Sequence, residues 1–428
     1  MLSMLGQVMT GVADSVMVGW TGAVPLAAAS FANTFFNVLL YFCIGVSYAI
    51  TPLVAQANGA QNPLKVNAVL RHGLLINLMV GLVVMGIIYL MQPLMDQMGQ
   101  PDEVVKLGVP YLQIITASIL PTMVYQSFRQ FCEGLQHTRM AMVVIIGSNL
   151  INILLNYLLI FGVAGFPELG LEGAGWATFV ARCVMAVAMA VYVLNAEVFR
   201  SFQPTFLFGK YKKELFLKLL HLGIPAGSQF IFEAGAFGFS SIMMGWIGTI
   251  PLAAHQIAMN LATISYMSTS GLGAAATIKV GNYLGQGDNL NMRKSAFAMF
   301  GMAAFIMACW ATLFIVLRNF LPQLYIDDGA VINAASLLLI IAAFFQLSDG
   351  LQVVCAGALR GLQDVKIPSL LIFVAYWIIS LPIGYLLAFP AGLGATGIWI
   401  GLLTGLTLTA VAMLIRFNRL SSRAGFVD

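Results

Sequence analysis

Apolar runs of twenty or more residues, separated by short polar stretches, fill most of the chain. A helix needs about 20 apolar residues to cross a bilayer, whereas a barrel strand needs only about 9 to 11 of alternating character. The pattern therefore predicts twelve membrane helices, at 1–20, 26–56, 66–92, 105–133, 138–162, 170–198, 218–247, 252–283, 292–318, 331–359, 365–390 and 393–418. The most polar stretch, Phe199 to Leu217, separates the first six from the last six. The expected layout is an amino-terminal lobe at 1–198, a linker at 199–217, a carboxy-terminal lobe at 218–418 and a tail at 419–428. The fold class predicted is an all-α polytopic membrane protein, twelve transmembrane helices in two pseudo-symmetric six-helix lobes.

The lobes repeat one another. MVGWTGAVPLAA from Met17 to Ala28 answers MMGWIGTIPLAA from Met243 to Ala254 at an offset of 226. Gly134-Leu135-Gln136 answers Gly361-Leu362-Gln363 at 227, and Tyr157-Leu158-Leu159 answers Tyr385-Leu386-Leu387 at 228. An even number of spans per lobe inserts both lobes in the same sense, so their symmetry axis runs along the membrane normal. Parallel repeats of this kind place a transport site between halves. The counterpart of Lys218, where the seventh span begins, falls before Met1 at this offset, so the first helix reads as clipped. Either the start is misplaced or this lobe begins short.

Composition agrees with the spans, since 60% of residues are hydrophobic and only 8% charged, against roughly 25% charged in soluble domains. The net charge of +4 is explained by orientation. With the amino terminus cytoplasmic, inner loops and helix ends hold nearly all the lysines and arginines, including Lys210, Lys212 and Lys213 of the linker, while Asp102, Glu103, Asp327 and Asp328 fall outside. Both termini are then cytoplasmic, and no nucleic-acid partner is implied. Five cysteines lie scattered in apolar runs without metal or disulfide spacing. The first apolar run carries Asp14 and no basic flank, unlike a cleavable signal peptide.

Against this background three acids stand out inside predicted spans: Asp14, Glu233 and Asp349. An acidic group at a helix centre costs about 2.5 to 3.5 kcal/mol, so such groups face water or a partner and carry function. Asp14 has Gln7 two turns earlier on nearly the same face. It reads as a proton or cation site, the competing reading being a cap on a shortened helix. Asn149, Asn152 and Asn156 share one face of the fifth span, where they serve either a carboxylate or neighbouring helices. Glu233 and Asp349 share the second lobe, where a common pocket would take up either a proton or a sodium ion. Apart from Lys218 at the very start of the seventh span, no lysine lies in their spans. Tyr266, with Gln256 and Asn260 before it on the eighth span, could face a bound cation or merely pack. Arg182 stands inside the sixth span, where it either snorkels or pairs. The four histidines show no ligand-pair spacing, and neither a nucleophile with its base nor a HExxH motif is present, so hydrolase chemistry has no support.

Four stretches, VADSVMVGWTGAVPLAA, SNLINILLNYLLIFG, FEAGAFGFSSIMMGWIG and SDGLQVVCAGALRGLQD, together resemble the multidrug and toxic compound extrusion (MATE) family, in particular its bacterial norfloxacin-exporter branch. The resemblance runs along the whole chain apart from the clipped start. It implies an inner-membrane antiporter, not an enzyme, that expels small cationic amphipathic molecules in exchange for sodium ions or protons, working as a monomer with no further cofactor. By the same resemblance Glu233 and Asp349 match the carboxylates that hold the coupling cation, sodium being the metal they would bind, with Tyr266 as their aromatic neighbour. Asp14 matches the titrating aspartate of the first lobe, supported by Asn152 and Asn156, and Gln7 and Gln256, with Asn260, fall in the drug cavity. A related archaeal branch has an aspartate on the fifth span where this chain has asparagine. The alternative is a lipid-linked oligosaccharide flippase of the same superfamily, although such proteins tend to put arginine or lysine where this chain puts acids and amides.

Overall fold

The computed structural model describes Gly11, residues 14–95, 101–204, Phe206 and residues 209–423, and among these residues there are helices and turns but no strand. Residues 14–19 are helical. There follow α1 (Ala23–Ser47), α2 (Ile50–Gly59), α3 (Pro63–Met95), α4 (Asp102–Ala117), α5 (Ile119–Gly134), α6 (Arg139–Phe161) and α7 (Gly170–Asn195). Then come α8 (Lys213–Ile247), α9 (Thr249–Gln286), α10 (Asn289–Val316), α11 (Gly329–Gly361), α12 (Lys366–Phe373), α13 (Leu381–Ala388) and α14 (Gly394–Arg423). A π-helical segment, Val374–Ser380, joins α12 to α13.

Ten helical runs among the described residues are long and apolar enough to cross a membrane, and the chain is a multi-pass membrane protein. They correspond to ten of the twelve predicted spans. The helix predicted at 252–283 is present as α9, whose buried Ser265, Ser268, Thr269 and Ser270 make it more polar than the rest. Most of the span expected at 1–20, Gln7 included, lies outside the described residues.

Helix ends follow from local chemistry. Gly22 and Gly248 open α1 and α9 with φ of 133° and 150°, backbone that disfavours any side chain. Pro25 and Pro251 sit in the first turns, where no N–H is needed. Asp328 caps α11 by accepting from the N–H groups of Ala330 (2.8 Å) and Val331 (3.4 Å). Gly162 closes α6 in the left-handed region.

Two spans that read as continuous are broken. The run expected at 26–56 divides at Tyr48–Ala49, and the run expected at 105–133 divides at Ser118, whose N–H bonds back to the carbonyl of Ile115 at 3.1 Å. In the second half the breaks fall elsewhere: α9 and α11 run unbroken while the eleventh predicted span carries the π segment.

The duplication extends to contacts. A Cβ on Gly134 would meet the side chain of Val54 and the carbonyl of Thr51; one on Gly361 would meet Val280 and the carbonyl of Thr277. The Thr51 hydroxyl donates to the carbonyl of Gln130, and the Thr277 hydroxyl to that of Gly357. Gln136 and Gln363 even share a left-handed backbone, with φ of 67° and 63°.

The chain forms two compact units, residues 2–227 and residues 228–428. The boundary lies within α8 because its first half packs on α1: Cβ atoms on Gly223 and Gly227 would stand 2.9 Å and 2.7 Å from the carbonyls of Val46 and Phe42. In the first unit a core of Phe36, Met123, Ile119 and Tyr111 is closed off from solvent. In the second, the core gathers Trp399, Tyr376, Phe345 and Phe314. There α9 and α11 touch backbone to backbone, since a Cβ on Gly357 would sit 2.1 Å from the carbonyl oxygen of Gly273. Small residues at crossings are how helices approach closely in lipid, where apolar burial gives no advantage.

Candidate functional site

In residues 228–428 the polar cluster is built from α8, α11, the π segment and α9. Gln352, one turn beyond Asp349 on α11, donates its amide N–H to Glu233 Oε1 at 2.9 Å. The amide is itself oriented, because the Tyr376 hydroxyl donates to its Oε1 at 3.2 Å. Trp377, the next residue, donates its indole N–H to the carbonyl of Phe232 at 3.0 Å. The π segment thus holds both the backbone just before Glu233 and the amide that meets its carboxylate. A π turn inside an α-helix is often found at functional sites.

Asp349 is 7% exposed and lies close enough to Glu233 for their charges to interact, and both act on the Tyr376 ring, as does Tyr266. Glu233 and Asp349 are therefore within electrostatic reach of one another, and Tyr376 is within reach of both and of Tyr266. Ser265, beside Tyr266, donates to Gln346 Oε1 at 2.6 Å and pins α9 to α11 one turn before Asp349. Two carboxylates, a phenol and an amide carbonyl present oxygen atoms, the donor type that hard cations take, and the Arg360 charge also reaches Glu233. Gln256 and Asn260 are exposed on α9, one turn apart, and form a separate stripe with Thr263 and Ile264. His255 is fully buried, taking the Trp399 indole N–H on Nδ1 at 3.2 Å and meeting the Ser241 hydroxyl at Nε2. That is a packing role.

In residues 2–227 the cluster is centred on Asp14, in the helical segment before α1. Asn156 on α6 donates to Asp14 Oδ1 at 2.5 Å and to Asn152 Oδ1 at 3.3 Å. Asn152 donates to the Thr178 hydroxyl on α7 at 3.4 Å, and that hydroxyl also bonds Asp14. Asn152 and Asn156 are 1% and 0% exposed, and the Oδ1 of Asn156 is buried with no hydrogen-bond donor among the described residues. The carboxylate is therefore a member of a polar network with Asn156 and Thr178. Arg182, one turn beyond Thr178, does not snorkel. It points inward, donating to the Ser118 hydroxyl at 2.6 Å with its guanidinium 5.1 Å from the centre of the Phe36 ring.

Sequence reasoning missed Gln352, Tyr376, Trp377 and Thr178. Gln352 and Thr178 carried a signal, being one turn from Asp349 and from Arg182. Tyr376 and Trp377 carried none, because their reach depends on the π geometry. No cluster of three or more His, Cys, Asp or Glu able to hold a metal occurs among the described residues.

The MatE family model matches residues 1–158 and 225–386, two segments offset much as the internal repeat is. The chain is 35% identical over 424 residues to a probable multidrug resistance protein NorM of Rhizobium meliloti, covering 98% of this chain and 91% of that one. It is 32% identical over 422 residues to the multidrug resistance protein NorM of Photobacterium profundum, covering 98% and 92%. Among solved structures, MATE in the bent conformation superposes with a TM-score of 0.91 at 18% identity, over 99% of this chain and 93% of that one. The eukaryotic MATE transporter AtDTX14 superposes with a TM-score of 0.85 at 20% identity, over 98% and 94%. A matched family model across both halves and full-length relatives above 30% identity place the chain in the MatE family.

Proposed function

We propose that the chain is a secondary active antiporter of the bacterial cytoplasmic membrane, with both termini inside, that expels cationic amphipathic compounds in exchange for sodium ions or protons. The names of its NorM relatives, multidrug resistance proteins, support the substrate class. The observation that carries the reading is the pairing of Glu233 with Asp349, two carboxylates within electrostatic reach inside membrane helices, one of them oriented by Gln352. Packing alone is better served by apolar groups and an intramembrane carboxylate is costly; the Arg360 charge acts on Glu233, whereas the charge that acts on Asp349 is that of Glu233.

The mechanism is alternating access. In the outward-open state a coupling cation enters Glu233 and Asp349, with Tyr266 alongside, or enters the Asp14 site with Asn152 and Asn156. Charge neutralisation there weakens the hold on a positively charged compound, which leaves outward. The protein returns inward, loses its coupling ion and binds a new compound. Gln256 and Asn260 on the exposed stripe of α9, and Gln7, contact the cargo. Coupling requires that the two states differ in affinity for both ligands, because a ligand bound equally by both shifts nothing.

The test is ethidium efflux in proteoliposomes under an imposed sodium gradient and, separately, an imposed proton gradient. Glu233→Gln and Asp349→Asn should abolish ion-driven efflux while both proteins still reach the membrane. Efflux at the wild-type rate by both variants would remove the proposal.

A further inference from the structure

The Asp14 network contains a charge that the transport cycle above does not use. On α7 the residues Trp176, Val180, Val184, Val187 and Val191 are all exposed and form one apolar outer side. Thr178, Arg182 and the fully buried Met189 lie on the opposite side, at helical spacing. Arg182 is thus aimed into its own unit, and its anchors are fixed. Ser118, which accepts its N–H, is 0% exposed and forms the joint between α4 and α5; Phe36, under the guanidinium, is 1% exposed. Arginine cannot shed its proton in a protein, so the charge is permanent. The titratable groups that interact with it are Asp14 and Tyr111; Asp14 in turn interacts with Arg182 and Tyr111 and is hydrogen-bonded by the neutral side chains of Asn156 and Thr178. Tyr111 is buried, its hydroxyl accepting from Asn33 at 3.4 Å, and it brings no positive charge.

We propose that Arg182 is the fixed counter-cation of the Asp14 site, lowering its affinity for cations in proportion to their charge. The inference rests on the reading of Asp14 as a cation site. With Asp14 ionised and nothing bound, the pair is neutral, which spares the empty unit a bare charge in apolar surroundings. One monovalent cation, whether a proton or a drug, brings the site to a net charge of plus one. A second would bring it to plus two in a low-dielectric interior, where like charges repel strongly. Without Arg182 the same double occupancy would reach only plus one.

The measurement is equilibrium binding of ethidium, a monocation, and propidium, a dication with the same ring system, to the purified full-length protein in detergent. Arg182→Gln keeps a donor for Ser118 and removes the charge; Arg182→Lys keeps the charge. A unit charge removed from nearby should tighten ethidium by about tenfold and propidium by about a hundredfold, while Arg182→Lys stays close to wild type. General damage to the unit would weaken both dyes, or shift both by one factor, and either result overturns the proposal. Asp14→Asn separates the two readings. If it weakens both dyes while Arg182→Gln changes neither, Asp14 remains the cation site and Arg182 is only a structural anchor. If it changes neither dye, the assignment of Asp14 falls and the role of Arg182 with it.

Discussion

The closest approach in the second unit gives a prediction whose sign can be worked out. At Gly357 an added Cβ would lie 2.1 Å from the carbonyl oxygen of Gly273, a backbone atom that no side-chain rotation can move aside. Carbon and oxygen rest at about 3.3 Å, so α9 and α11 must part by roughly 1 Å in Gly357→Ala. Overpacking of this kind costs about 1 to 3 kcal/mol, and the upper end applies to a backbone obstacle. Alanine recovers up to about 1 kcal/mol of helix propensity, leaving a net loss of about 1 to 2 kcal/mol. Gly301 on α10 is the control, because nothing lies within 4 Å of its Cβ position and Gly301→Ala keeps only the propensity gain. Thermal unfolding of the purified variants, followed by size-exclusion chromatography after heating, should show Gly357→Ala melting several degrees below wild type and Gly301→Ala at or above it. Transport should fall as well, since Gly273 is two turns from Tyr266 on α9 and Gly357 about two turns from Asp349 on α11. A Gly357→Ala protein as stable as wild type would refute the reasoning.

Two further outcomes are expected. Tyr376→Phe leaves the buried Oε1 of Gln352 without its donor, a loss of about 1 to 3 kcal/mol, so ion-driven efflux should drop by at least about fivefold in reconstituted vesicles; wild-type efflux would show that the amide needs no orienting partner. Gly248→Ala forces a side chain onto backbone at φ 150°, a strain of about 1 to 3 kcal/mol, and should lower the melting temperature, whereas an unchanged melt would mean that α8 and α9 tolerate another turn between them.

Much of this architecture is legible in the chain. Run length and the offset between MVGWTG and MMGWIG set out the spans and the repeat, and the family match at 1–158 and 225–386 follows the same spacing. Single acids in apolar runs marked Asp14, Glu233 and Asp349, because charge in such places has few innocent explanations. What stayed hidden depends on backbone geometry that apolarity does not encode. Ser118 sits in a run that reads as unbroken, yet it is the joint that receives Arg182. Tyr376 lies among valine, alanine and isoleucine, and only the π turn delivers it to Gln352. Arg182 was ambiguous for the opposite reason: periodicity shows which face it occupies, but not whether that face meets lipid until the neighbouring helices are in place.

The π segment has a consequence for how this part of the chain can vary. Tyr376 and Trp377 are consecutive, yet one reaches α11 and the other α8, and the wider turn is what lets neighbours in sequence serve two different helices. Removing one residue between Val374 and Ser380 would restore an ordinary helix of adequate length and hydrophobicity. It would also rotate everything beyond the deletion by about 100° relative to everything before it, so the two bonds and the packing of the rest of the helix would not all be kept. Length in this stretch is therefore set by two grips, not by the thickness of the bilayer.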